Sequence, residues 1–168
     1  AKQAVSAAKE YPGEARGTIC WGLYDDEGRA ALAKATSVPI LSDESTITVN
    51  DVYRQIQLGA ISRVGIKLPR TGFFLSTKIV HLAESANLPC QISTQLESDL
   101  GTANCVQLAA AFKQISLPCE IASYDENFSA SLIKKPLVIQ NGCLQLPDGP
   151  GSGVEIDWDS VDKYRVKI

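Results

Sequence analysis

The stretch that decides the fold is RVGIKLPRTG, residues 63–72. An apolar, β-branched run passes here into a glycine and a helical pattern, so the sequence predicts that Lys67 lies at the carboxyl-terminal tip of a parallel strand. Ligands and catalytic groups of α/β folds gather at these tips. A lysine held there at low dielectric can have its pKa lowered enough to act as a base near neutral pH. On position alone, the alternative is a surface lysine that ends a strand.

Similar apolar runs recur along the chain, beginning at residues 18, 38, 63, 88 and 117. Helical patterns separate them, which indicates repeated βα units and a parallel sheet. The runs are continuously apolar, as is typical of strands covered on both faces. Five units are fewer than the eight of a closed (β/α)₈ barrel. An open five-stranded sheet and the later part of a barrel therefore both satisfy the pattern.

The helical patterns carry start signals and apolar stripes. The run TVND, residues 48–51, reads as a capping box at the start of a helix. Residues at helical spacing predict the buried faces of two further helices. These stripes are Leu75, Ile79, Leu82, Ala83 and Ala86 in one helix, and Cys105, Leu108, Ala109 and Phe112 in the other.

The pattern changes after residue 122. Residues 136–139 and 143–147 read as two extended pieces around the turn Asn141-Gly142. We therefore predict a partial (β/α) barrel domain over residues 1–122. Residues 123–168 are predicted to form a C-terminal segment that packs on the barrel or on a missing N-terminal cap.

Composition excludes several function classes. The chain is 45% hydrophobic and 21% charged, like an ordinary globular protein, and its net charge of −3 gives no reason to expect nucleic acid or an anionic membrane as a partner. No signal peptide or run of about 20 apolar residues is apparent. The five cysteines are scattered and form no C-x-x-C pair, which favours a reduced, cytoplasmic protein without a cysteine-based zinc site.

Acidic residues lie near Lys67 in the predicted topology. Asp43-Glu44, Glu97 and Glu120 fall at other strand tips. Carboxylates that converge from successive parallel strands form an oxygen site suited to Mg²⁺. A lysine beside such a site can remove a proton α to a carboxylate while the metal stabilises the enolate.

Each of these acids also has a structural interpretation. Asp43-Glu44 could belong to a polar loop, and Glu97 could be a helix N-terminal acid favoured by the dipole. Glu120 lies between Cys119 and Ile121 in an apolar run, so we expect it to be buried with a partner.

The order of the motifs resembles the C-terminal part of the enolase superfamily, specifically the mandelate racemase/muconate lactonizing enzyme group. The segments that carry the resemblance are VPILSDES (38–45), IKLPRTG (66–72), QLESDLG (95–101), CEI (119–121) and LPDGPGSGVE (146–155). The resemblance implies an α/β fold, the second half of a (β/α)₈ TIM-type barrel. It also implies a Mg²⁺-dependent isomerase, epimerase or lyase that acts on a small carboxylic acid.

The resemblance also implies roles for individual residues. Lys67 would be the acid/base catalyst and Glu120 an acid or electrophile partner. Asp43, with Glu44 beside it, would bind the metal ion. Arg70 and Glu97 would contact the substrate.

The chain departs from the family pattern in ways that weaken a metal site. Arg70 and Phe73 stand where the family has a second lysine and a second glycine, and the run ICWG, residues 19–22, lacks the expected metal-binding glutamate. Asp43 is then the family metal ligand that is left, and one carboxylate holds Mg²⁺ weakly. The alternative hypothesis is therefore a degenerate, non-catalytic relative that serves as a structural or binding module.

The resemblance begins in the second half of a barrel, and the chain has no methionine. We therefore expect part of a larger product that is inactive alone. A half barrel exposes two unpaired strand edges. The sequence accordingly predicts self-association or pairing with the missing barrel half.

Overall fold

The computed structural model describes residues 25–166. The apolar run that begins at residue 18 lies outside this range. The helices are α1 (Asp26–Ala35), α2 (Val49–Gln57), α3 (Leu68–Ser85), α4 (Asp99–Ala111), a 3₁₀ turn (Tyr124–Glu126) and α5 (Trp158–Tyr164). The strands are β1 (Leu41–Ser42), β2 (Arg63–Ile66), β3 (Cys90–Ile92), β4 (Ile139–Gln140) and β5 (Cys143–Leu144).

The first three strands form a parallel sheet in the order β1-β2-β3. Leu41 lies beside Arg63, and Ile66 lies beside Ile92. Each strand is followed by a helix, or in the case of β3 by a loop and then α4, so the predicted βα repeat is confirmed for this part of the chain. All three carboxyl ends consequently lie at one edge of the sheet.

A single apolar core joins the sheet to its helices. The strand residues Val64, Ile66, Cys90 and Ile92 are buried in it. They pack with Val52 of α2, Ile79, Val80 and Ala83 of α3, and Cys105 and Leu108 of α4. Full burial of each large side chain stabilises the fold by about 1.5–3 kcal/mol. Both predicted stripes contribute to this core, but Leu75 is exposed, so its assignment to a buried face is wrong.

The junction between β2 and α3 is short and sharply bent. Lys67 is the N-cap residue, and Pro69 occupies the first turn, where a missing N–H costs nothing. Gly72 has φ 64° and ψ 172° and interrupts α3 one turn after it begins. A residue with a β-carbon would be strained in this conformation.

The start of α2 confirms the predicted capping box. Thr48 Oγ1 accepts a hydrogen bond from the backbone N of Asp51 at 3.1 Å, and Asp51 Oδ2 accepts one from the backbone N of Thr48 at 2.8 Å. These bonds satisfy N–H groups that the first turn leaves unpaired. The loop after β1 therefore ends at a fixed point.

The fifth predicted strand does not form as a regular strand. Ile115 makes an isolated parallel bridge to Cys90, and the backbone N of Glu120 donates to Ile92 O at 2.8 Å. Pro118 lies between these contacts and has no N–H to continue a ladder. Glu120 is exposed, so the expectation that its carboxylate is buried is wrong.

The C-terminal segment, residues 123–166, contains the predicted hairpin. β4 and β5 are antiparallel around Asn141 (φ 53°) and Gly142 (φ 72°). Two positive φ angles are what a two-residue type I′ turn requires. Among residues 25–166, no helix is both long enough and apolar enough to cross a membrane.

Two side chains of α4 attach the C-terminal segment to the rest of the fold. Asp99, only 2% exposed, accepts hydrogen bonds from the backbone N of Leu132 at 3.1 Å and from the Ser131 hydroxyl. Two turns further on, Gln107 Nε2 donates to Pro147 O at 2.8 Å. The segment is thus held by polar contacts at two positions of one helix, about two turns apart.

Candidate functional site

The candidate site lies where β1 and β2 end side by side. Asp43 directly follows β1, and Lys67 directly follows β2. Lys67 Nζ lies 3.0 Å from Asp43 Oδ1 and 3.1 Å from Glu44 Oε1. The Lys67 and Asp43 side chains are 12% and 10% exposed, whereas that of Glu44 is 41% exposed. The predicted meeting of these three side chains at one edge of the sheet is therefore present.

Arg70 approaches the same carboxylate from the first turn of α3. Its Nη2 donates to the backbone O of Asp43 at 3.2 Å and lies 3.6 Å from Asp43 Oδ1. The Arg70 side chain is only 13% exposed. Two cations and two carboxylates thus form one network, which we call the Asp43–Lys67 network: Asp43, Glu44, Lys67 and Arg70.

The electrostatics of Lys67 differ from the expectation. Burial, the largest single influence, lowers the pKa of Lys67, but hydrogen bonding and charge attraction from Asp43 and Glu44 together outweigh it. The net result is a pKa raised above the usual lysine value. The expectation of a lowered pKa is therefore wrong for this arrangement. Lys67 is an ammonium ion at neutral pH.

Gly65 of β2 lies close to polar atoms of Ser42 and Ser93, and the sequence did not lead us to predict this close approach. A β-carbon on Gly65 would lie 2.5 Å from Ser42 O and 3.2 Å from Ser93 Oγ. The absence of a β-carbon on Gly65, two residues before Lys67, thus leaves room for the Ser42 carbonyl and the Ser93 hydroxyl. A glycine inside a strand pattern was the available signal, because such glycines mark close backbone approach.

Glu97 lies in the loop after β3 and is engaged locally. Its Oε2 accepts hydrogen bonds from the backbone N of Gln95 at 2.6 Å and from Thr94 Oγ1 at 3.3 Å, and Cys105 Sγ lies 3.7 Å from Oε1. None of its hydrogen bonds within residues 25–166 reaches the Asp43–Lys67 network. These contacts fit its interpretation as a local acid before α4, and its role toward substrate stays a prediction.

Glu120 also lies at this edge of the sheet. Its backbone N donates to Ile92 O at the end of β3. β3 separates the segment that contains Glu120 from β2 and Lys67. Its side chain is exposed rather than paired in a core. Its catalytic role stays a prediction.

The cysteines of the core are poor nucleophile candidates. Burial raises the pKa of Cys90 to about 12, and burial with the nearby Glu97 charge raises that of Cys105 to about 12. Both thiols are protonated at neutral pH and behave as small hydrophobic groups.

A solvent cavity of about 890 Å³ lies elsewhere, within the C-terminal segment. Its walls come from parts of residues 134–155, including Lys134, Val138 and Leu146. None of the four residues of the Asp43–Lys67 network lines it. The candidate site is therefore defined by the charged side chains that meet at the ends of β1 and β2, and not by this cavity.

Comparison with known proteins places this arrangement in a family. Residues 20–160 match the family described as Enolase C-terminal domain-like. The chain belongs to this family. Lys67, Asp43, Glu44 and Arg70 all fall inside the matched range.

Individual relatives agree with this assignment. Muconate cycloisomerase 1 of Rhodococcus opacus is 32% identical over 136 residues, which are 80% of this chain and 36% of that protein. N-succinylamino acid racemase of Amycolatopsis is 34% identical over 128 residues, 76% of this chain and 34% of that protein. The crystal structure of 2-chloromuconate cycloisomerase from Rhodococcus opacus matches with a TM-score of 0.82 at 30% identity and covers 88% of this chain.

The chain spans little more than a third of the length of these enolase-family relatives, and 40% of the solved cycloisomerase. Its parallel βα units correspond to the C-terminal half of the enolase-superfamily barrel. The prediction of a second-half (β/α)₈ barrel is thereby confirmed.

The residues described for this enolase-family chain do not complete a metal site. Asp43 Oδ1 is buried and forms an ion pair with Lys67 Nζ at 3.0 Å. Mg²⁺ requires a nearly octahedral shell of oxygen atoms. Within residues 25–166, no group of three or more His, Cys, Asp or Glu side chains could hold a metal ion. Asp43 and Glu44 therefore provide carboxylate oxygens of the right type but not a binding site.

An Asp43→Asn variant is expected to lower the pKa of Lys67 relative to the wild type. The substitution removes one attracting charge and leaves the effect of burial, which already acts in that direction. Titration of the Lys67 side chain by NMR measures the shift. Glu155→Gln is a matched control, because it removes the partner of the distant Lys134. An unchanged or higher pKa in Asp43→Asn would contradict this account of the network.

Proposed function

We propose that the chain contributes the acid/base side of the active site of an isomerase or lyase that moves a proton α to a carboxylate. The observation that carries the proposal is Lys67, fixed at a strand tip 3.0 Å from Asp43 in a member of the enolase C-terminal domain-like family. The named activities of its relatives, a cycloisomerase and a racemase, support it. The substrate class is a small carboxylic acid.

The state of Lys67 sets its role in the reaction. As an ammonium ion it is ready to deliver a proton to the α-carbon, and Asp43 and Glu44 hold it in place. In the reverse direction, neutral Lys67 accepts the proton from the C–H bond. The raised pKa disfavours that neutral form, so the step becomes easier as the attraction of the two carboxylates weakens.

The remaining parts of such an active site would come from outside residues 25–166. We propose Mg²⁺ as the cofactor of a complete site, with Asp43 as one ligand, Glu44 beside it and Arg70 and Glu97 near the substrate. The chain covers 36% of muconate cycloisomerase 1. We therefore propose that it is inactive alone.

The test is exchange of the α-proton with solvent deuterium. Small carboxylic acids are incubated in D₂O with the 168-residue chain and, separately, with the product of its complete reading frame. Loss of the α-proton NMR signal is expected with the complete product only. Failure of the complete product to exchange any tested acid would contradict the proposal.

The alternative is a non-catalytic structural or binding module. The missing group of three metal-binding side chains within the described residues favours it. In that case the complete product folds but exchanges no α-proton. The same measurement therefore separates the two functions.

We further propose that the isolated chain associates with itself or pairs with the missing barrel half. Large apolar side chains are exposed near the carboxyl ends of the sheet strands, namely Ile47 in the loop after β1, Phe73 and Phe74 in α3, and Leu96 in the loop after β3. Exposed apolar surface and unpaired strand edges both favour association. Light scattering is expected to give a mass above the 18.0 kDa of one chain. A uniform monomer would contradict self-association.

A further inference from the structure

Arg70 holds Asp43 at two points. Its Nη2 donates to the Asp43 backbone O at 3.2 Å and lies 3.6 Å from the Oδ1 of the same residue. The backbone N of Arg70 donates to Lys67 O at 2.9 Å. Arg70 thus ties the loop after β1 to the turn that begins α3.

The contact between Arg70 and Asp43 leaves another donor of Arg70 without a hydrogen bond. Arg70 Nε is buried and meets no acceptor within the described part of the chain. An unsatisfied buried donor is unfavourable. The contacts with Asp43 therefore set the orientation of the guanidinium, although this orientation leaves the Nε–H without an acceptor.

The two cations that face Asp43 differ in how they can respond to a metal ion. Lys67 can turn wholly toward Glu44, which is already 3.1 Å away, or lose its proton. Arg70 is held in the buried turn, where its side chain is 13% exposed. A divalent ion that approaches Asp43 Oδ1 consequently meets a fixed positive charge, and like charges repel strongly at short range.

We propose that Arg70 is a positioning residue that occupies the cationic side of Asp43 and lowers its affinity for a divalent metal ion. The inference rests on the proposed function only in taking Asp43 as the carboxylate opposite Lys67. The arginine, which stands where the family pattern has lysine, binds the backbone and the side chain of the metal-ligand position together. Asp43 is thereby paired with an internal cation that a metal ion would have to share.

The test is titration of the 168-residue chain with Mn²⁺, with the free ion followed by electron paramagnetic resonance. The wild type is expected to bind with a millimolar dissociation constant. Arg70→Gln is expected to bind at least tenfold more tightly, and Arg70→Lys to gain less than Arg70→Gln, because it keeps the charge but not the fixed contacts of the guanidinium. Adding Asp43→Asn to Arg70→Gln is expected to remove the gain.

Three results would overturn the proposal: micromolar binding by the wild type, no gain in Arg70→Gln, or a gain that survives Asp43→Asn. A merely structural arginine predicts weaker binding on substitution, which is the opposite change. Circular dichroism verifies folding, and Arg70→Met, of similar length, replaces Arg70→Gln if the latter unfolds. Metal binding is measured without substrate, so its outcome is independent of α-proton exchange.

Discussion

A Lys67→Ala variant of the complete protein is expected to exchange the α-proton about 10²- to 10⁴-fold more slowly than the wild type. This range is the usual contribution of a positioned general acid or base. Lys67 is the cation at the β2 tip, and its Nζ is held by Asp43 and Glu44 at 3.0 and 3.1 Å. Alanine removes both the transferable proton and the charge, so the loss should appear in kcat.

Two further variants make this measurement specific. Lys67→Arg keeps the positive charge but cannot take up and release a proton near neutral pH, so it should be nearly as slow as Lys67→Ala. Lys78→Ala removes an exposed lysine of α3 that lies over the Phe74 ring at 4.3 Å, and it should exchange like the wild type. Full exchange by folded Lys67→Ala would exclude Lys67 as the acid/base group.

Replacement of Asp99 by alanine is expected to destabilise the protein by about 2–5 kcal/mol. The carboxylate is almost fully buried and accepts bonds from the Leu132 backbone and the Ser131 hydroxyl. Alanine leaves the Leu132 N–H without its acceptor, and an unsatisfied buried group costs about 1–3 kcal/mol. It also removes the charged hydrogen bond of Ser131, worth about 1.5–3 kcal/mol, although this hydroxyl can turn to Ile133 O at 2.8 Å. The damage should concentrate in the C-terminal segment.

Urea unfolding measures the loss in Asp99→Ala, and hydrogen exchange locates it. Asp99→Asn is the control, because its amide oxygen can still accept from Leu132 and its NH₂ can donate to Ser131 Oγ. It should lose much less stability than Asp99→Ala. Equal stability of Asp99→Ala and the wild type, or exchange that rises only around β1, would contradict the role assigned to Asp99.

Local signals in the sequence predicted most of the sheet and its helices. The apolar runs placed β1, β2 and β3 near their observed positions, and Thr48 and Gly142 marked a helix start and a hairpin turn. These features depend on neighbouring residues only. The run at residues 117–122 failed, because Pro118 interrupts backbone pairing and Glu120 faces solvent.

The sequence predicted which residues meet at the site, but it did not predict the direction of the Lys67 pKa shift. Asp43, Glu44 and Lys67 were expected at one edge of the sheet from strand spacing. The direction of the Lys67 pKa shift depends on whether attraction or burial is larger, and this balance requires distances. The contact of Arg70 with Asp43 joins residues that are 27 positions apart in the sequence, and the contact of Asp99 with Leu132 joins residues 33 positions apart. Local sequence patterns do not report such contacts.

The attachment of the C-terminal segment to α4 also has a kinetic consequence. Its polar contacts close loops of 33 residues at Asp99 and 40 residues at Gln107. Closing such loops lowers the conformational entropy of the chain before the hydrogen bonds that stabilise the closed form can be made. Both contact residues lie on α4, so we expect the segment to dock after this helix has formed. We therefore expect the βα units up to α4 to form the surface on which the C-terminal segment assembles.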